Sequence, residues 1–272
     1  MNIFNQITTA IFNVIFYPLQ NLSSFWALFI ISILTGLFML WVFKRVSNQN
    51  GIRITKNRIK AHLLAIRLYK NDAILSLQSM GLLFKENGRY LLYALKPMLV
   101  LSLPVMIIVI QVGSRYGYQS ANINEPLLVH VQVAKDVDMR QVALFAPSDD
   151  IRVEKPPLYI PPRSEIYWRI YPLEAGVWTL TFSYRNHNIS KKIVSGPKQH
   201  LSAPKRVSAS IESLLYPAES VLSSDSCINE ISVDYSENRI KVAGIRFHWL
   251  LFFILLSIVT GFAFKGVFRV QI

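Results

Sequence analysis

The sequence predicts an α-helical membrane protein with three transmembrane helices, a cytoplasmic helical hairpin and an all-β extracytoplasmic domain. Three observations carry that expectation. Of 272 residues, 52% are hydrophobic and only 17% charged, whereas a soluble domain carries about 25% charged residues. The deficit is concentrated: residues 1–43 hold no Asp, Glu, Lys or Arg, and three apolar stretches stand out at Phe25–Phe43, Leu91–Gln111 and Phe247–Phe264. Each approaches the roughly 20 residues needed to cross a hydrocarbon core of about 30 Å. Between the second and third stretches the pattern changes to the period-two alternation of strands. A disordered or purely soluble chain is excluded.

Charge placement sets the expected topology. The net charge is +13, of which +9 lies between Lys44 and Lys96, where eleven basic residues meet only Asp72 and Glu86. The segment from Arg115 to Arg246 is nearly balanced at +2, and Lys265 and Arg269 supply the rest. Basic residues near spans mark the cytoplasmic side. The N-terminus and the β domain are therefore expected outside, with the hairpin and C-terminus in the cytoplasm. A basic run can also mark nucleic-acid binding, but this one is bracketed by spans and lacks interleaved aromatics for stacking, so no specific nucleic-acid site is expected. Phe25–Phe43 has an uncharged flank before it and Lys44–Arg45 after it, the arrangement of a signal anchor rather than a cleavable signal peptide.

The elements follow in order. Residues 1–24 place Ile3, Ile7, Ile11, Val14 and Ile15 at helical spacing before Pro18, which predicts an amphipathic helix at the outer interface. Residues 25–43 form the first span. Residues 44–90 predict a hairpin: Ile52, Ile59 and Ile66 repeat every seven residues with Leu63 beside them, and Ile74, Leu77, Gly81 and Phe84 continue at helical spacing after an Asn71–Asp72 turn. The two stripes are expected to bury each other as an antiparallel coiled coil, with Asn87–Gly88 breaking the pattern before the second span at 91–111. Helices lying separately on anionic lipid are the alternative.

Residues 112–246 read as a β domain. Alternation predicts strands at Leu128–Val133, Gln141–Phe145, Glu165–Tyr171 and Trp178–Tyr184, with more at Ile189–Val194, Ile231–Tyr235 and Ile240–Val242. Pro147–Asp150, Pro156–Pro157, Pro161–Pro162 and Glu174–Gly176 supply turns between them. Many short strands between frequent turns, with Gly176 leading into Val177–Thr181, predict an immunoglobulin-like sandwich. Ser202–Asp225 reads as a weakly ordered loop. Residues 247–264 form the third span, and 265–272 a cytoplasmic tail.

No catalytic constellation is visible. The five histidines are scattered, Cys227 is a lone thiol, and no phosphate loop or nucleophile elbow occurs. The expectation is no enzyme, no metal and no cofactor. The spans say more. Pro97, Pro104 and Gln111 recur every seven residues and share one face of the second helix. The first and third spans share a pentad, Ser32-Ile-Leu-Thr35-Gly36 and Ser257-Ile-Val-Thr260-Gly261. Its Ser, Thr and Gly make a small, hydrogen-bonding helix face. Such faces either pack helices together or border a partly hydrated groove. Ser32, Thr35, Lys96, Pro97, Pro104, Gln111, Ser257 and Thr260 are the groove candidates, with snorkelling to the headgroups as the default for Lys96.

In its order of parts, the chain resembles the YidC/Oxa/Alb membrane insertase superfamily and its three-span relatives. The resemblance covers about residues 3–112, through Ile59-Lys-Ala-His-Leu-Leu-Ala-Ile-Arg-Leu-Tyr-Lys70 and the proline-punctuated Lys96-Pro-Met-Leu-Val-Leu-Ser-Leu-Pro104. It implies a bacterial inner-membrane protein that assists insertion of hydrophobic segments without covalent chemistry or nucleotide. Its implied partners are membrane lipids, nascent membrane proteins, and ribosome or translocon components. The first span here lacks the arginine that bacterial members share, and the β domain is an addition to the minimal core. The alternative function is an envelope binding or scaffold protein that acts through that β domain.

Overall fold

The computed structural model describes residues 3–20, 22–147, 150–185, 187–196, 203–208, 211–223, 226–242 and 244–270. Helices dominate the N-terminal part, antiparallel β-sheets follow, and a helix closes the chain. Two compact units are formed, one by residues 28–106 with 251–272 and the other by residues 1–27 with 107–250.

The helices are α1 (Ile3–Phe16), α2 (Ser24–Val46), α3 (Gln49–Leu68), α4 (Ala73–Tyr116) and α5 (Trp249–Phe264). Two of them, α2 and α4, are long and apolar enough to cross a membrane. The turns between helices follow side-chain capping. Asn48 Oδ1 accepts the Gly51 N–H at 2.9 Å and so starts α3. Asp72 Oδ1 accepts the N–H groups of Ile74 and Leu75 at 3.1 and 3.0 Å and so starts α4.

Three helical expectations are corrected. The predicted break at Asn87–Gly88 is absent, and α4 runs unbroken for 44 residues. Asn87 Nδ2 donates to the Leu83 carbonyl at 2.9 Å instead of capping a turn, and one interior glycine costs a helix only about 1 kcal/mol. The predicted stripe on the second hairpin helix points outward: Ile74, Leu77 and Phe84 are 71%, 72% and 69% exposed, although Ile52 of α3 is buried. The cause is electrostatic. Glu86, one of two acids among the hairpin's basic residues, turns inward to Arg58 and Arg89 at 3.4 and 3.0 Å. Residues two apart on a helix differ by about 200°, so burying Glu86 exposes Phe84. Finally, α5 starts at Trp249, because Phe247 and His248 belong to a strand. Its 16 residues span about 24 Å.

The β unit has strands β1 (Leu127–Val133), β2 (Ala143–Phe145), β3 (Ile151–Val153), β4 (Leu158–Ile160), β5 (Glu165–Pro172), β6 (Gly176–Tyr184), β7 (His187–Ser195), β8 (Lys205–Val207), β9 (Ile228–Val233), β10 (Arg239–Val242) and β11 (Ile245–His248). One six-stranded sheet runs β3-β5-β1-β9-β8, with β4 also on β5; β2-β6-β7 form a second sheet and β10-β11 a ribbon. All these strand pairs are antiparallel, and among the described residues no closed barrel forms. Alternate residues of the two larger sheets share one core. Val129, Val131, Ile166, Trp168 and Ile231 from the first join Leu180, Phe182 and Ile193 from the second. The pair β10–β11 sets Ile240 opposite Phe247 and Arg239 opposite His248, which draws the start of the predicted third span into a ribbon.

Smaller corrections have local causes. Gln141 ends a 3₁₀ turn begun by Asp138, whose side chain accepts the Arg140 N–H, so β2 is only 143–145. Tyr235 lies beyond β9, and its hydroxyl accepts the Val194 N–H at 2.9 Å. Within Ser202–Asp225, the described residues include β8 and a 3₁₀ turn at Ile211–Leu215. Part of the predicted Pro147–Asp150 turn lies outside the described residues.

Buried charge holds the described residues 203–208 and 211–222 in place. Lys191 of β7 is fully buried; its Nζ lies 3.1 Å from Glu219 Oε1 and donates to the Ala203 carbonyl at 2.5 Å. Burial pushes the Lys191 pKa down, and Glu219 pulls it partly back. Arg206 donates to the Ser220 carbonyl and hydroxyl at 2.7 and 2.8 Å. Removing one partner of such a pair strands a buried charge, at a cost of about 3–5 kcal/mol. Glu219→Ala is therefore expected to destabilise the β unit by about that amount, and the double change Lys191→Met with Glu219→Leu to recover most of it. Tryptophan-detected denaturant unfolding measures both, and additive losses in the double variant would show that the pair is not coupled.

Candidate functional site

The first candidate is an apolar cleft of about 290 Å³ between the inner parts of α2, α4 and α5, lined by Thr35, Gly36, Leu101, Val105, Ser257 and Ile258 among others. The shared pentads build its floor. A Cβ placed on Gly36 would lie 2.6 Å from the Ser257 carbonyl oxygen and 2.9 Å from Thr260 Cβ. Only glycine permits that approach, which is how small residues bring apolar helices together. The second pentad's glycine is not used in this way, because a Cβ on Gly261 would meet nothing within 4 Å.

Hydroxyl groups at this crossing are turned to backbone. Ser32 Oγ donates to the Leu28 carbonyl at 2.6 Å, Thr260 Oγ1 to the Leu256 carbonyl at 2.8 Å, and Ser257 Oγ across the helices to the Ser32 carbonyl at 3.1 Å. A polar group satisfied in this way attracts little water. The cleft wall is almost wholly carbon, and in this respect it departs from a partly hydrated groove. Of the eight groove candidates, Thr35 and Ser257 line the cleft, while Ser32 and Thr260 are buried. Pro97 is buried and Pro104 half-buried on the less exposed side of α4, and neither lines the cleft. Lys96 is exposed. The shared pentad of small residues is legible in the sequence; the cleft-lining Leu101 and Val105 carry no signal that separates them from any other apolar residue of a span.

Gln111 belongs to a different arrangement, in the β-containing unit. It is buried, its Nε2 donates to Thr9 Oγ1 at 3.3 Å, and its Oε1 accepts from Arg115 Nη1 at 2.7 Å. Arg115 also donates to Asn13 Oδ1 at 2.5 Å and stands 4.7 Å from the Phe16 ring centroid. This polar knot fixes the rotation of α1. Asn5, Thr9 and Phe16 are buried, while Ile7, Ile11 and Val14 are exposed. An apolar helix face held outward by polar contacts on the inner side suits a lipid interface. Sequence reading missed Arg115, whose spacing of four from Gln111 was the available signal.

The β unit carries a second cleft, of about 320 Å³, lined by Tyr118, His130, Tyr167, Lys205, Tyr216 and Ser232 among others. The His130 ring stacks on Tyr167 at 4.7 Å, with Nδ1 2.9 Å from Ser232 Oγ and Nε2 3.7 Å from Glu165 Oε1. Tyr167 donates to Glu165 at 3.2 Å, and Lys205 pairs with Glu230 at 3.1 Å. Burial is the first cause that pushes the Tyr118, Tyr167 and Tyr216 phenols above their ordinary value. Stacking and hydrogen bonding are the chemistry this cleft offers. No family model, no curated protein and no solved structure matches the chain.

The contrast between the two pentad glycines is testable. In a Cys227→Ser background, cysteines at positions 32 and 257 should cross-link on mild oxidation. Gly36→Leu is expected to lower the yield several-fold by forcing α2 and α5 apart, and Gly261→Leu to leave it unchanged. Equal yields for both would refute the close packing at Gly36.

Proposed function

We propose that the chain is an insertase-like integral membrane protein that shields apolar segments while they enter or fold in the bilayer. The carrying observation is the carbon-lined cleft formed by three apolar helices. It has room for a few aliphatic side chains of a passing helix. Dispersion and exclusion of lipid would hold them without selecting a sequence, so neither covalent chemistry nor nucleotide is required. The resemblance of residues 3–112 to the YidC/Oxa/Alb superfamily supports the same assignment.

In this proposal α2, α4 and α5 all span a bacterial inner membrane, with α5 matched by local thinning or by flanking residues. The basic α3–α4 hairpin stands in the cytoplasm, near ribosomal or nascent-chain partners. The β unit, an immunoglobulin-like sandwich, stands outside. A specific observation favours a second function: the tyrosine- and histidine-lined cleft of the β unit would serve an envelope binding or scaffold protein that the helices merely anchor.

Two measurements test these assignments. Photo-crosslinkers at Leu101 and Val105, which line the cleft, should capture newly made membrane proteins only during translation. Probes at the exposed Leu99 and Leu103 should not. Equal capture after translation stops would reject the insertase role and favour the scaffold. For topology, a membrane-impermeant maleimide should label Asp136→Cys, at an exposed turn, in cells whose inner membrane is intact. The native Cys227 should react more slowly, because burial pushes its thiol up and the thiolate is the nucleophile. Labelling of position 136 only after that membrane is broken would reverse the orientation.

A further inference from the structure

We infer that the cleft between α3 and the middle of α4 is a binding site for the headgroup of an anionic phospholipid carrying two phosphates. The cleft encloses about 380 Å³ and is lined by Arg53, Lys56, Asn57, Lys60, Asn87 and Tyr90, with Ile59. Positions 53, 56 and 60 fall three and four residues apart, on one face of α3. Lys56 Nζ stands 5.7 Å from the Tyr90 ring centroid. The lining therefore offers cations, two side-chain amides and a phenol, which together suit phosphate oxygens.

The balance of acids makes this an anion site rather than a solvated ion-pair face. Between Lys44 and Lys96 the only carboxylates are Asp72 and Glu86. Asp72 is held at the hairpin turn by the N–H groups of Ile74 and Leu75. Glu86 is taken by Arg58 and Arg89. Among the described residues Arg53 and Lys60 have no carboxylate partner. Like charges gathered around one cleft repel, and a bound anion relieves that repulsion.

Position selects a lipid. Tyr90 immediately precedes Leu91, where the apolar run of α4 begins, so one wall of the cleft meets the expected hydrocarbon boundary. Arg53 and Lys60 lie seven residues, about 10 Å, apart along α3, so two anionic groups can reach both cations where a single one cannot. A headgroup with two phosphates can meet both; a zwitterionic one brings its own cation into the cleft. Basic pockets beside cytoplasmic helix ends bind such headgroups. A nucleic acid would need a longer basic track with more stacking surface than one tyrosine.

The inference rests on the membrane placement proposed above, and the test keeps the two separable. The full chain is reconstituted with phosphatidylcholine alone, with added phosphatidylglycerol at matched charge, or with added diphosphatidylglycerol, and the lipid retained after purification is weighed by native mass spectrometry. Diphosphatidylglycerol should be retained preferentially. Arg53→Gln with Lys60→Gln should lower retention about tenfold, since each cation near an anionic surface changes affinity several-fold. The charge-matched control Lys135→Gln with Arg140→Gln should not lower it, and Arg53→Lys should preserve most of it. Resistance to alkaline extraction, measured on the same variants, reports membrane integration and folding. Loss of integration by the unaltered chain would overturn the membrane placement and the inference together. With integration intact, equal retention of all three lipids would overturn the inference alone. So would displacement by inorganic pyrophosphate without lipid preference, or loss of RNA binding rather than lipid binding in the variant.

Discussion

Backbone N–H and C=O groups in a long apolar run need hydrogen-bond partners, and the helical part of this chain answers that constraint. Helices satisfy every interior backbone bond within the segment, so long apolar runs such as those of α2 and α4 take that form. Two prolines lie inside α4, each removing one donor, yet the helix continues through both. Its neighbours in sequence are strong apolar helix formers such as Leu99, Leu101 and Met106, and the cost of a break falls on several backbone groups at once. The same pressure shapes the side chains. Ser32, Thr260 and Ser257 spend their hydroxyls on carbonyl groups, which leaves a cleft that can admit only apolar matter.

Electrostatics decides what the constraint leaves open. On the hairpin, one buried carboxylate sets the rotation of α4 and turns an apolar stripe outward. In the β unit, Lys191 and Glu219 hold the described residues 203–208 and 211–222 against β7, where hydropathy alone reads a loose loop. At the end of α4, Arg115 with Gln111 and Asn13 sets which face of α1 is exposed. In all three places a small number of polar contacts accompanies the packing that the structure adopts. That is where buried polar groups exert their strongest structural effect, because an unsatisfied one is so costly.

Much of the candidate site was legible as pattern and little of it as geometry. The repeated pentads pointed to helix packing, and Gly36 against Ser257 and Thr260 is such a packing. Yet Gly261, identical in local sequence, touches nothing at its Cβ position. A motif states which residues can approach closely, while the crossing of two helices selects which of them do. Lys96 and Gln111 illustrate the same separation. Both are polar residues at the ends of an apolar run; one is exposed and the other buried against Thr9.

By itself the sequence determined the quantities that depend on composition and local period. These are the apolar helices, the capped turn at Asp72, the lopsided charge of the hairpin and the alternating strands of the β unit, because backbone satisfaction and side-chain periodicity act within a few residues. Tertiary structure alone decided the outward turn of Ile74, Leu77 and Phe84, whereas α4 continues through Gly88 for the local reason that Asn87 donates to the Leu83 carbonyl. Tertiary structure alone also capped the third apolar run with the β10–β11 ribbon and set the described residues 203–208 and 211–222 around a buried ion pair. The outward turn and the buried ion pair depend on partners distant in the chain, Arg58 for Glu86 and Lys191 for Glu219, and no local pattern encodes the distance to such a partner.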